Sequence, residues 1–269
     1  TLPRTYEALF APAGDAVVLI NEEAGMEVAH LGTLQASGTE ALLDMRDLPA
    51  GSRDMHFEED GNALRFFVPN PEGGTGYRYS IPDDATTALF SIPLRDVAVL
   101  WGSATLLYTS PSAYAEGYLY RIGRDGLQFV TRGGKGLTAF ASGSSTLVST
   151  IDTQGRSVRD ITFGTSLPFS DLIPEKCAAL PTSPHRVVCA SPLSYDDAAP
   201  FPDSWYQGTM GTEDALLLIG SKESTITILS TLGNEMGRPI DVGALGARAD
   251  GNAFYFINRY DGALWLFTP

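Results

Sequence analysis

The sequence is short of histidine, cysteine and positive charge. It holds three histidines, two cysteines, and 18 Lys and Arg against 32 Asp and Glu in 269 residues. The resulting net charge of −14 argues against nucleic acid and anionic membrane surfaces as partners, because both repel an acidic body. It suits a cationic partner instead. No stretch approaches 18 consecutive apolar residues, so no membrane-spanning helix is expected. Residues Thr1–Tyr6 carry no signal-peptide pattern, which leaves any membrane attachment to a tether upstream of Thr1. Two cysteines alone cannot make a structural zinc site. His30, His56 and His185 share no metal-like spacing, so each reads as a structural or exposed residue. No cofactor is expected, calcium held by carboxylates being the one weak alternative.

Helical periodicity is missing as well, and so are the common catalytic signatures. No Gly-x-Ser-x-Gly elbow occurs in these residues, so a peptidase site is not expected among them. Ser142-Gly143-Ser144 has small residues in the wrong pattern and reads as a turn. Gly133-Gly134-Lys135-Gly136 lacks the spacer and following helix of a phosphate loop and reads as a turn between two repeats. A glycosidase needs two carboxylates facing one cavity, and sequence cannot pair them.

What is present is a repeat. Asp250-Gly251-Asn252-Ala253-Phe254-Tyr255-Phe256 has a clear second copy in Asp60-Gly61-Asn62-Ala63-Leu64-Arg65-Phe66, and weaker copies elsewhere. Each unit reads as a short apolar strand a, a hydrophobic strand b, a third strand c and a weaker strand d. The b-strand anchors Val17, Leu64, Leu106, Leu147, Val187 and Phe254 are about 47, 42, 41, 40 and 67 residues apart. A period near 41 with four strands per unit is what a β-propeller blade needs. An insertion between Ala190 and Asp214 accounts for the long last spacing. The expectation is therefore an all-β, single-domain, six-bladed β-propeller of four-stranded antiparallel blades. The blades span about 8–49, 54–94, 96–134, 137–175, 177–232 and 241–269. The last stops after strand c at Leu264–Phe267. Either Thr1–Tyr6 supplies its missing strand or the native protein has residues before Thr1, and the second is favoured.

The Asp-Gly-Asn-x-Leu/Phe-x-Phe phrase, followed by Gly76-Tyr77-Arg78-Tyr79 or Gly262-Ala263-Leu264-Trp265, resembles the WD40-like repeats of the Tol-system propeller and of prolyl-oligopeptidase-type propeller domains. The fifth unit runs from Glu175-Lys176-Cys177 through Cys189-Ala190-Ser191-Pro192 to Asp203-Ser204-Trp205-Tyr206-Gln207-Gly208. It is similar to uncharacterised exported bacterial propellers. Cys177 and Cys189 flank the turn Thr182-Ser183-Pro184-His185, and by themselves read either as a hairpin disulfide or as two buried thiols. The resemblance implies the disulfide and a periplasmic or cell-surface location, and it implies no activity.

Two groups of residues stand out as candidate sites. Arg53, Arg95, Lys135 and Lys176 recur just before strand a, with Arg4 and Arg238 in similar places. In a propeller they would collect at one mouth of the central channel. They read as blade-to-blade ion pairs, as an anion-binding mouth, or, if Asp54 and Asp96 face inward instead, as a calcium site. The insertion supplies the second group: Tyr195, Asp196, Asp197, Phe201, Asp203, Trp205, Tyr206 and Gln207. It reads either as a plug or as a wall of a binding site with Trp205 and Tyr206 as anchors. The leading function is an extracytoplasmic binding or scaffolding propeller recognising a protein or glycan partner on its top face. The alternative is a propeller hydrolase, lyase or lactonase using channel carboxylates.

Overall fold

A computed structural model describes residues 5–37, 40–109, 111–142, 145–153, 155–169, 171–180, 182–194, 199–248 and 250–269. Strands dominate, and the two α-helices among the described residues, α1 (Asp203–Tyr206) and α2 (Leu232–Met236), are a turn long. The chain divides into two compact units. The first comprises Thr1–Trp101 and Ile122–Leu127, the second Gly102–Arg121 and Gln128–Pro269.

The first unit holds two four-stranded antiparallel sheets in sequence order. One is β1 (Thr5–Phe10), β2 (Ala16–Glu23), β3 (Met26–Ser37) and β4 (Glu40–Asp47). The other is β5 (Arg53–Phe57), β6 (Ala63–Asn70), β7 (Gly73–Ser80) and β8 (Ala85–Ile92). Strand β9 (Val97–Leu100) follows. The inner strands β2 and β6 are buried along most of their length, and Val18, Leu31, Leu64 and Phe66 join in one core between the sheets.

In the second unit β10 (Leu106–Thr109), β11 (Glu116–Gly123), β12 (Gly126–Ser142), β13 (Ser145–Asp152), β14 (Gly155–Asp160) and β15 (Thr165–Leu167) are successive neighbours in one sheet. A four-stranded sheet follows: β16 (Cys177–Ala179), β17 (Arg186–Ser194), β18 (Glu213–Gly220) and β19 (Thr225–Thr231). The last sheet has three strands, β20 (Val242–Ala247), β21 (Phe254–Asn258) and β22 (Leu264–Phe267). It packs on the preceding sheet through Val188, Leu216, Val242, Phe254 and Phe256.

The repeat phrase has a local cause. The carboxylate of Asp60 accepts the Asn62 N–H at 3.0 Å, and that of Asp250 accepts the Asn252 N–H at 3.0 Å. Between them Gly61 and Gly251 take φ of +73° and +70°, a conformation costly for any residue with a Cβ. The phrase is thus a side-chain-closed turn that delivers the next residues into a buried b strand. All six b anchors are buried strand residues.

Two expectations need correction. Six separate blades do not form. Four sheets are of blade size, three with four strands and one with three, while the stretch expected to hold a boundary at 134–137 is continuous. There β12 runs unbroken for 17 residues. Gly133-Gly134-Lys135-Gly136 is accordingly no turn between repeats. The pairing with β13 shifts register between Lys135 and Thr138, with Gly134 and Gly136 at φ +76° and +61°, so the glycines form a bulge inside the strand. Thr5–Phe10 pairs with β2, so the described part of Thr1–Tyr6, the less favoured source of the last sheet's missing strand, is engaged elsewhere.

Candidate functional site

The site grows out of the insertion between β17 and β18. Phe201, Trp205 and Met210 pack with Ile173 in a small buried cluster, so the segment from 199 to 212 folds down as a cap. Two polar contacts fix its start. Asp203 accepts the Ala113 N–H at 2.5 Å, and the Arg156 guanidinium lies 4.8 Å over the Phe201 ring.

Beneath the cap lies a buried polar network. Lys176 closes a 3-10 turn, Pro174–Lys176, and its side chain is out of contact with water. Its three ammonium protons meet three acceptors: Thr212 Oγ1 at 2.5 Å, Asp214 Oδ2 at 2.6 Å and Asp241 Oδ1 at 2.7 Å. Asp241 Oδ1 also accepts from the Thr212 hydroxyl at 2.9 Å and the Trp205 indole N–H at 3.0 Å. Asp214 Oδ2 accepts the Val242 N–H at 2.7 Å. Burial raises the Asp214 pKa above the ordinary carboxylate value, and the Lys176 charge works in the opposite direction. The Trp205 ring has the Arg259 guanidinium 3.9 Å and the Lys176 ammonium 5.2 Å from its centroid. Arg259 also donates to the Trp205 carbonyl at 3.0 Å.

Above this floor the chain turns outward. Tyr206 is 39% exposed and sets its ring edge-on to Trp205, with centroids 5.3 Å apart. Its hydroxyl donates to Glu175 at 3.1 Å. Burial of the phenol and the Glu175 carboxylate push its pKa upward, so it stays a neutral donor. Gln207 is exposed. Tyr260, 52% exposed, donates to the Thr212 carbonyl at 3.3 Å.

Other sequence candidates fall elsewhere. Arg53 and Arg95 lie in the first unit, where the Arg53 guanidinium donates to the carbonyls of Arg95 at 2.5 Å and Val97 at 3.1 Å. Arg53 also stacks on Phe67 at 5.5 Å. Asp54, the second residue of β5, has φ +50°, and its carbonyl accepts the Trp101 indole N–H. Arg95 and Asp96 are exposed ahead of β9. Lys135 is exposed on β12. Arg238 pairs with Asp261 at 3.0 Å and covers the Trp265 ring at 4.5 Å. Lys176, read as a base at an open mouth, is instead wholly buried between two carboxylates, which joins the sheet led by β16 to the sheet led by β20. Arg4, Tyr195, Asp196 and Asp197 lie outside the described residues. Among the described residues no three His, Cys, Asp or Glu side chains gather to hold a metal. Cys177 and Cys189 sit opposite each other on β16 and β17, Cα atoms 4.1 Å apart, and form a disulfide.

Sequence reasoning missed Thr212, Asp214, Asp241 and Arg259. The available signal was polar residues at the mouths of strongly apolar strands, Asp214 at the start of β18 and Asp241 directly before β20.

No family model and no curated protein matches the chain. Solved structures do. The β-propeller domain of the Trilobed protease from Pyrococcus furiosus is 9% identical, with a TM-score of 0.58 over 99% of this chain and 81% of that one. The Pyrococcus horikoshii acylaminoacyl peptidase is 9% identical, with a TM-score of 0.62 over 98% of this chain. TolB from Acinetobacter baumannii is 12% identical, with a TM-score of 0.51 over 83% of this chain. The chain folds as a β-propeller. This agrees with the propeller type that the Asp-Gly-Asn repeats resemble. The propeller spans 44% of that peptidase and 53% of that TolB, and at these identities the likeness is one of fold alone.

Proposed function

We propose that this propeller is an extracytoplasmic binding module whose cap recognises a protein partner with a basic surface. The observation that carries the reading is the two-layered build of the cap. Trp205 is held from below by Asp241, Arg259 and Lys176, while Tyr206, Gln207 and Tyr260 are left at the surface. Such an arrangement presents aromatic side chains without much ordering cost on binding, and tyrosine is among the residues that dominate interface energetics. The net charge of −14 supports a cationic partner through steering and complementarity. The Cys177–Cys189 disulfide supports an oxidising compartment. No helix among the described residues is long and apolar enough to cross a membrane. The test is partner capture from native extracts with wild-type protein and with Tyr206→Ala/Tyr260→Ala. The reading expects specific proteins to be retained by the first and lost by the second at unchanged melting temperature. Equal capture by both would reject it.

A further inference from the structure

The second unit holds a cavity away from the cap. Its volume is about 310 Å³, at the lower end of what small-molecule sites offer. Its lining comes from β10, β11, β12 and β13, from residues 102–104 and from the turn at 161–162, all within the second unit. Ser145 lines it and hydrogen-bonds to the Ser221 hydroxyl at 2.6 Å. Ser221 directly follows β18, whose other end, Glu213, adjoins the cap. The length of that strand, about 25 Å, therefore separates the cavity from the cap.

Two features open the space. β12 contributes Val130 before its bulge and Ala141 after it, and a bulge bends its strand, so the two ends of β12 diverge. Gly102, Ala104 and Ala141 then line the gap with little or no side chain. The walls are held in place. The Ile161 N–H donates to the Thr146 carbonyl at 2.9 Å, and the Asp160 carboxylate accepts the N–H groups of Thr162 at 2.8 Å and Phe163 at 3.3 Å. Leu106 pairs with Arg121 across β10 and β11, and Ala141 with Thr146 across β12 and β13. A site fixed in this way needs little ordering when a ligand enters.

We propose that this cavity binds a small monocarboxylate with an apolar body, its carboxylate on Arg121 and its body against Leu106, Val130 and Ile161. Those three residues supply an apolar wall, and Ser103 and Thr146 add hydroxyl groups. Arg121 is the one charged residue among the described lining residues. Gln128 Oε1 accepts from its guanidinium at 3.0 Å, which aims the group and leaves other N–H groups for a second acceptor. A guanidinium fork matches a carboxylate in two parallel hydrogen bonds. One cation balances one negative charge, whereas a dianion such as a phosphate monoester would leave a surplus charge in a body already at −14. Screening confines the pull of the chain's other charges to about 8 Å at physiological salt, so the groups at the site decide.

The probe is benzoate, with benzamide as its neutral counterpart, each titrated into the whole chain and followed by backbone amide shifts. Benzoate should bind one to one and move the amides of Leu106, Thr146 and Ile161 while leaving those of residues 199–212 in place. Benzamide should bind at least tenfold more weakly. Arg121→Gln, at an exposed position, should keep the melting temperature and weaken benzoate to the level of benzamide. Ala141→Leu should fill the cavity and abolish binding of both; Val130→Phe, at the exposed rim, carries the same comparison if Ala141→Leu fails to fold. Tyr206→Ala/Tyr260→Ala should bind benzoate as wild type does, which separates this site from the cap. Absence of benzoate binding overturns the proposal, as does equal affinity for benzamide. Benzoate binding that survives Arg121→Gln or the filling variant places the ligand elsewhere and overturns it too.

Discussion

The ammonium of Lys176 lies 2.7 Å from the carboxylate of Asp241, both side chains withdrawn from water. Lys176 precedes β16 and Asp241 precedes β20, so this contact ties the last two sheets together, and Trp205 hangs the cap from the same oxygen. Burying charges is costly, and the pair persists because every ammonium proton has an acceptor. Replacing Lys176 with Met leaves Asp214 and Asp241 buried without their cation. The expected loss is about 3–5 kcal/mol in urea unfolding. Adding Asp214→Leu should recover part of that loss, because one of the two stranded acids is then gone.

Loosening the cap should be a local event. Trp205→Ala removes a buried ring and its bond to Asp241, at a cost of roughly 3–5 kcal/mol if the cap stays folded, less if it opens. Hydrogen exchange should accelerate across residues 199–212 and change little in β18. Uniform acceleration through both segments would show that the cap and the sheet unfold together. Tyr206→Ala, which leaves the floor intact, should alter stability by less than about 1 kcal/mol.

Acid should weaken the first unit through Glu58. Its carboxylate lies 2.7 Å from Arg65 and 2.9 Å from Arg78, and the hydrogen bonds from Arg78 and Arg65 hold its pKa below the ordinary value of 4.5. A lowered pKa means that the folded state favours the ionised form. The contribution is therefore fully present above about pH 4.5 and disappears as pH falls through the folded-state value. Glu58→Gln should cost about 1 kcal/mol at neutral pH, since the arginines are partly solvated, and nothing once wild type is protonated. Asp214 has the opposite sign. Its raised pKa favours the protonated form on folding, so its contribution is present below pH 3.8 and falls as pH rises through the folded-state value.

Reduction of the disulfide tests the fifth repeat. Cys177 and Cys189 are 12 residues apart and close the β16–β17 hairpin. Cys177→Ser/Cys189→Ser should lose about 2–4 kcal/mol, most of it through the unfolded chain, with unchanged strand content by circular dichroism. Reductant should destabilise wild type to the same extent and leave the variant as it was.

Local chemistry was legible in the sequence, and long-range register was not. Val17, Leu64, Leu106, Leu147, Val187 and Phe254 announced buried strands because apolar periodicity is a local signal, and Asp-Gly-Asn announced its turn because the aspartate closes it two residues away. The residues around Cys177 and Cys189 left a hairpin disulfide and two buried thiols equally open, because both suit two facing strands, and only the family resemblance implied the bond. Gly133-Gly134-Lys135-Gly136 misled, since positive φ serves a bulge as well as a turn. Gly133 is needed because a Cβ there would lie 1.7 Å from Leu137 Cδ1. Lys176 was found but placed at an open mouth, because the acids that bury it come from 38 and 65 residues away.

The most direct test of the account is quantitative capture from native extracts by wild type and Tyr206→Ala/Tyr260→Ala, each checked for an unchanged melting temperature. Binding through the cap predicts a set of basic proteins retained by wild type and lost from the tyrosine variant. Retention of the same proteins by the tyrosine variant would contradict it.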